Sequence, residues 1–215
     1  MERFDPTRRF GLDASERYDD ETGHVAPTVV LVEGISDQRA LEALAIRRGR
    51  SLDAEGVSVM PIGGAQAIGS SLERFGPRGL GARLAGLCDA GEEDDFRRGL
   101  ERAGLGKDLT RAEMERLGFY VCVADLEDEL IRALGAQVVE GVVAARGELR
   151  SFRTLQKQPE WSGRPLDQQL RRFFGSGGGR KIEYAPLLVD ALALDRVPRP
   201  LDGVLAHVGE DVLPR

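Results

Sequence analysis

The chain has 215 residues, enough for one domain of ordinary size or one with an appended subdomain. An apolar fraction of 41% supports a real core, and the spacing of the apolar runs excludes wholesale disorder. A net charge of −6 excludes a general nucleic-acid coat, but the charge is uneven: residues 146–199 carry 11 basic and 6 acidic side chains, so the remainder is strongly acidic.

Residues 1–26 are polar and punctuated by Pro6, Gly11 and Gly23, and are expected to form an irregular N-terminal arm. Thr28 to Val32 is a β-branched apolar run of the kind buried on both faces of a parallel sheet. It stops at Glu33. Gly34 permits a tight exit, Ser36 is placed to cap a helix over about 37–48, and Asp37 falls in that helix's first turn. A second strand at 57–60 leads through Pro61-Ile62-Gly63-Gly64 into a helix over about 65–75. A third strand, 83–88, ends at Asp89 and is followed by a helix over about 92–103. After a loop and a short helix (about 110–116), a fourth strand at 119–123 meets Asp125-Leu126-Glu127-Asp128-Glu129, which opens a helix running to about Leu134.

This alternation predicts an α/β fold: a Rossmann-like parallel sheet of about four strands flanked by helices, over residues 27–135. From 136 to 215 the pattern is helical only, with helices expected over about 136–145, 147–157, 165–174, 182–194 and 200–208. The Gly-Ser-Gly-Gly-Gly break at 175–179 reads as a flexible tether within this C-terminal helical extension. Cys88 and Cys122 each sit in an apolar run and read as buried free thiols. No N-terminal apolar stretch has the length of a signal peptide or a membrane span, so a cytoplasmic protein without a membrane partner is expected.

Three of the four strands end in a carboxylate at what should be the same rim, the edge where open α/β sheets place their ligands. Carboxylates converging there repel one another unless cations neutralise them. Hard divalent ions such as Mg²⁺ take oxygen ligands, which suits these acids and a chain without a His/Cys cluster. The same residues have a structural reading, in which Asp37 and the acids of 125–129 only complement helix dipoles.

Glu33-Gly34-Ile35-Ser36-Asp37, Asp89 and Asp125-Leu126-Glu127 together resemble the Toprim domain of topoisomerases, primases and several nucleases. The pattern is similar in particular to the Toprim module of the overcoming-lysogenization-defect (OLD) nucleases, in which a lysine lies in a later helical region; the matching residue here is Lys181. The resemblance implies a strand order of 2-1-3-4 and a metal-dependent DNA endonuclease or nickase of DNA repair or phage and plasmid defence. It implies two Mg²⁺ or Mn²⁺ ions, one held by Glu33, Asp37 and Asp89 and a second to which Asp125 and Glu127 contribute. Glu33 and Lys181 would be catalytic, with Lys181 stabilising charge on the phosphate or leaving group. The chain departs from the family at one point: the second motif is usually D-x-D and here reads Asp89-Ala90-Gly91. Glu92 or Glu93 could supply the missing carboxylate; alternatively the site could hold one metal less tightly, or be catalytically silent. Larger family members fuse this domain to an ATPase. With no Walker sequence, no ATP site is assigned to this chain, and a separately encoded ATPase and a homodimer are the expected protein partners.

Arg150, Arg153, Lys157, Arg171, Arg172 and Arg180 are the candidate contacts to DNA, interleaved with Phe152, Trp161 and Phe173. The aromatics are expected to pack, leaving the cations for solvent or phosphate. The rival readings are a non-catalytic Toprim module binding DNA or a partner ATPase, and a nucleotidyl transferase using the same acids.

Overall fold

The computed structural model describes residues 27–177 and 179–209; the expected N-terminal arm lies outside them. Four strands, β1 (Thr28–Val32), β2 (Val57–Pro61), β3 (Arg83–Cys88) and β4 (Phe119–Val121), form one sheet in the order β2-β1-β3-β4. Every pairing is parallel, with Val32 level with both Pro61 and Leu87, and Cys88 level with Val121. This register brings the exits of β1 and β3 side by side. Pro61 is tolerated because β2 is an edge strand.

β1 shows why a continuous apolar run is required. Val30 and Val32 face one core and Val29 and Leu31 the other, all essentially without solvent contact. On the second face lie α2 (Ile68–Phe75), α3 (Glu93–Arg102) and α4 (Arg111–Arg116), through Ile68, Leu72, Phe96, Leu100 and Met114. Gly86 in β3 pairs with Phe119, whose ring crosses directly over it: a Cβ there would lie 2.6 Å from the ring and 2.9 Å from the Leu31 carbonyl oxygen. The first face is covered by α1 (Ile35–Arg47) together with α5 (Leu126–Leu134) and α9 (Arg180–Ala191), backed by α6 (Ala136–Ala145), α7 (Leu149–Gln156), α8 (Leu166–Gly175) and α10 (Arg199–His207).

The C-terminal helices share that core with the sheet. Phe152, Phe173, Phe174 and Tyr184 are fully buried in edge-on and tilted ring contacts, Phe152 and Phe173 at 5.2 Å. Helix α9 lies along α1, and Arg47 of α1 donates to the Val189 carbonyl of α9 at 2.6 Å. Helix α10 reaches β3 and β4, its Gly203 taking the face of the Tyr120 ring.

Several boundaries differ from expectation: the helix expected over about 182–194 runs from Arg180 to Ala191, a 3-10 turn at Ala65–Ala67 precedes α2, and three differences lie at the rim. Helix α1 starts at Ile35, capped by Gly34 rather than Ser36: Asp37 accepts a hydrogen bond from the Gly34 N–H (2.9 Å), which winds the first turn two residues early. β4 is three residues long rather than five, because Val123 turns out to solvent, its N–H held at 2.7 Å by the Glu129 carboxylate. A 3-10 turn at Ala90–Glu92 precedes α3. Among the described residues no helix is long and apolar enough to cross a membrane.

Candidate metal centre

The exits of β1 and β3 set the centre. Glu33 follows the last residue of β1, and its backbone carbonyl accepts hydrogen bonds from Gly63 and Gly64 of the loop after β2. Asp89 follows the last residue of β3, while the Ala90 N–H bonds to the Ala124 carbonyl and fastens that exit to the loop after β4. The turn Ala90–Glu92, closed by the Glu92 N–H on the Asp89 carbonyl (3.1 Å), folds Glu92 back onto the same rim. Glu33, Asp89 and Glu92 each offer a carboxylate oxygen, all within 4.8 Å of one another. Glu33 and Glu92 are within hydrogen-bond reach, and Glu92 Oε2 is buried with no partner among the described residues.

Such a group is costly as it stands. Burial, followed by the charge of Asp37 and then Glu33, pushes Asp89 up to about 8. Asp37 is pushed up to about 6, by burial first and then by Glu127 and Glu33, against the opposing Gly34 hydrogen bond. Glu33 is raised by burial and by Glu92, with Lys181 pulling it back. An all-oxygen donor set, an orphaned buried oxygen and mutual repulsion fit a hard divalent cation.

Of the two residues offered by sequence as substitutes for the missing aspartate, only Glu92 joins the cluster. Glu93 begins α3 and turns to Arg111, with Arg97 alongside, and the Arg111 hydrogen bond holds its carboxyl below the usual range. Gly91 projects into open space. Asp37 sits close behind the triad as a buried charge and a backbone acceptor.

Asp125 and Glu127 are placed differently from the expectation that they ligate a second ion. Asp125 Oδ1 caps α5, accepting from the Asp128 N–H at 2.7 Å, while Oδ2 is held by Arg171 of α8. Glu127 is buried and takes Lys181 Nζ of α9 at 2.6 Å. Burial works against the Lys181 charge, yet Glu127, Asp125 and Asp89 outweigh it and hold its pKa above the usual lysine value. The expected cluster of five acids is thus a triad of Glu33, Asp89 and Glu92, flanked by two acids that each carry their own cation. Two features escaped sequence reading: Arg171 as the partner of Asp125, and Glu129 as the acceptor that turns the chain at Val123.

The basic segment is partly spoken for. Arg180 is directed inward rather than toward DNA: its guanidinium lies 4.0 Å from the Phe173 ring centroid, pairs with Glu148 at 2.8 Å and donates to the Phe173 carbonyl. The bonds to the Phe173 carbonyl and the Ser176 hydroxyl tie the start of α9 back to the end of α8. Arg153 pairs with Glu140, and Arg172 lies over Trp161 at 5.8 Å. Arg150, Lys157 and Arg172 are exposed. Phe152 and Phe173 are core residues and Trp161 packs at the core's edge, in keeping with the expectation that the aromatics pack.

Residues 25–90 match the family described as Overcoming lysogenization defect protein-like, TOPRIM domain. Over these residues the chain is similar to the Toprim domain of OLD-like proteins. The match takes in Glu33, Asp37 and Asp89 and stops two residues short of Glu92. The C-terminal region of the Xanthomonas campestris pv. campestris OLD protein superposes with a TM-score of 0.67 at 24% identity, covering 85% of this chain and 92% of that one. The C-terminal region of the Burkholderia pseudomallei OLD protein gives a TM-score of 0.67 at 20% identity, over 88% of this chain and all of the other. These structures share the fold, including the helical extension after the Toprim sheet. No curated protein matches the chain in sequence.

Proposed function

We infer that the protein is a metal-dependent phosphodiesterase that cleaves or nicks DNA. The observation that carries this reading is the triad of Glu33, Asp89 and Glu92, completed by Glu92 where the second aspartate of the Toprim motif is missing. Mg²⁺ or Mn²⁺ held by these oxygens would supply Lewis-acid stabilisation of the phosphate and lower the pKa of a bound water. The chain's own residues do the rest. Lys181 Nζ, oriented by Glu127, keeps a fixed positive charge beside the acids, where a phosphate oxygen gains negative charge as a leaving group departs. Arg150, Lys157 and Arg172 offer exposed cations on the α7–α8 side for the DNA backbone, which positions the strand without reading its sequence. Helix α9, fastened to α1, holds the Lys181 end of this arrangement in register with the Glu33 end. A separately encoded ATPase partner belongs to the same proposal.

The test is nicking of supercoiled plasmid in Mg²⁺ or Mn²⁺ by the wild type and by Glu33→Ala and Lys181→Ala. Metal-dependent nicking lost in both variants is the expected result. No cleavage in either metal, with DNA binding intact, would instead mark a non-catalytic module.

A further inference from the structure

We propose that the cleft between the Gly63-Gly64 turn and Gly91 is a nucleoside subsite, which seats the sugar and base next to the phosphodiester bond that the centre attacks. The proposal rests on the metal-dependent reading above and adds to it where the substrate lies. The cleft measures about 420 Å³, within the range of pockets that take small ligands, about 300–1,000 Å³. Gly63, Gly64, Gln66 and Ala67 form one wall, and Gly91 and Glu92 the other. Glu92 is also an arm of the triad, so the cleft opens directly from the centre. Three glycines give it its width. Gly63 and Gly64 have φ of +78° and +115°, which residues with side chains rarely adopt, and their N–H groups are fixed on the Glu33 carbonyl. Gly91 stands where the Toprim pattern carries its second aspartate, and a Cβ there would meet nothing within 4 Å.

The lining decides which part of the substrate enters. Among the described residues no cation borders the cleft, and its acids are Glu92 and Asp95, the latter paired with Arg98 at 2.6 Å, so a phosphate is disfavoured there. Lys181 lies toward the opposite face of the sheet. It belongs to α9, whose Tyr184 and Ala185 enter the first core, whereas Ala65 and Phe96, beside the cleft, enter the second. A strand crossing the rim thus leaves its phosphate between the triad and Lys181 and directs the attached nucleoside into the cleft. Glycine backbone and Ala67 offer contact to a sugar or a ring edge, and the exposed Gln66 amide offers a base both a donor and an acceptor. The cleft is preformed: below it α3 packs on α2 at Gly99, where a Cβ would come within 3.2 Å of Ile68 and Leu72.

Gly91→Leu and Ala67→Leu, made in the full chain, fill the cleft from opposite walls without replacing a carboxylate. In plasmid nicking with Mn²⁺, each should raise KM at least tenfold, while Gly91→Ala stays within threefold of the wild type. Mn²⁺ affinity, read by electron paramagnetic resonance, should remain within threefold in all three. A fluorescein-labelled single-stranded oligonucleotide, bound in Ca²⁺ and followed by anisotropy, gives a readout without catalysis. The same strand with abasic sites throughout keeps every phosphate and loses every base; it should bind the wild type at least fivefold more weakly, a penalty that Gly91→Leu should abolish. An unchanged KM in Ala67→Leu, or an abasic penalty of the same size in Gly91→Leu, would overturn the proposal and leave the metal-dependent reading standing. If Gly91→Leu weakens Mn²⁺ binding, Ala67→Leu, away from the Ala90–Glu92 turn, decides. No nicking by the wild type in either metal would overturn the metal-dependent reading itself, and the abasic comparison would then decide the subsite alone.

Discussion

Removing one carboxylate from the centre should stabilise the metal-free protein, and Asp89→Asn is the informative case. Asp89 is pushed up from an ordinary value of 3.8 to about 8, by burial and by Asp37, Glu33, Asp125 and Glu92. A carboxyl whose folded pKa lies above its unfolded one binds more protons folded than unfolded between those two values. Stability therefore falls as pH rises through that window, and the loss is complete above the folded pKa. At about 1.4 kcal/mol per unit the full interval would exceed about 5 kcal/mol. Asp89 is partly exposed and water screens its neighbours, so the discounted expectation is about 2–3 kcal/mol. For a chain of this size that is roughly 5–10 °C in Tm. Thermal melts in EDTA at pH 5 and pH 8.5, by circular dichroism, should show the wild type losing that much more than Asp89→Asn across the interval. Saturating Mn²⁺ at pH 8.5 should raise the wild-type Tm and leave the variant nearly unmoved. A wild-type Tm that is flat or rises from pH 5 to 8.5 without metal, or an equal fall in the variant, would refute the reasoning.

The raised value of Asp89, about 8, also means that a proton must leave when metal binds: at pH 7, calorimetry in buffers of different ionisation enthalpy should find about one proton released per ion, and close to none in Asp89→Asn. Gly86→Ala places a Cβ 2.6 Å from the Phe119 ring and should cost about 1–3 kcal/mol in urea unfolding; an unchanged midpoint would contradict the close crossing. Arg180→Ala, which loses the Phe173 stacking and the Glu148 pair, should destabilise the fold by about 1–3 kcal/mol while leaving Mn²⁺ affinity within twofold, whereas a DNA-contacting role would show as weaker DNA binding at unchanged stability. Glu129→Ala should release the turn at Val123 and raise amide exchange there, without changing exchange in β1.

The sheet and its rim were legible because their signals are local. A β-branched run ending in an acid marks β1 and Glu33, and the same grammar marks β3 with Asp89. The aromatics Phe152 and Phe173 were expected to pack rather than to stack on bases, and both are core residues. What sequence left open was decided by turns and by contacts distant in the chain. Glu92 and Glu93 are chemically the same and adjacent, and neighbouring helical positions point about 100° apart. The 3-10 turn at Ala90–Glu92 sends the first to the triad and the second to Arg111. Asp125 looked like a ligand because acids at strand exits often are; its pairing with Arg171, 46 residues on, requires the packed extension. Arg180 and Lys181 are consecutive cations with opposite duties, one facing an aromatic ring and the other an acid.

The pair Glu92 and Glu93 also gives the most direct test of the account. Supercoiled plasmid should be nicked in Mn²⁺ by the wild type and by Glu93→Gln, whose residue faces Arg111, at rates within about threefold of each other. Glu92→Gln, which removes one arm of the triad, should lower the rate by about a hundredfold or more. Nicking that survives in Glu92→Gln, or is lost in Glu93→Gln while the protein remains folded, would contradict a centre built on Glu33, Asp89 and Glu92.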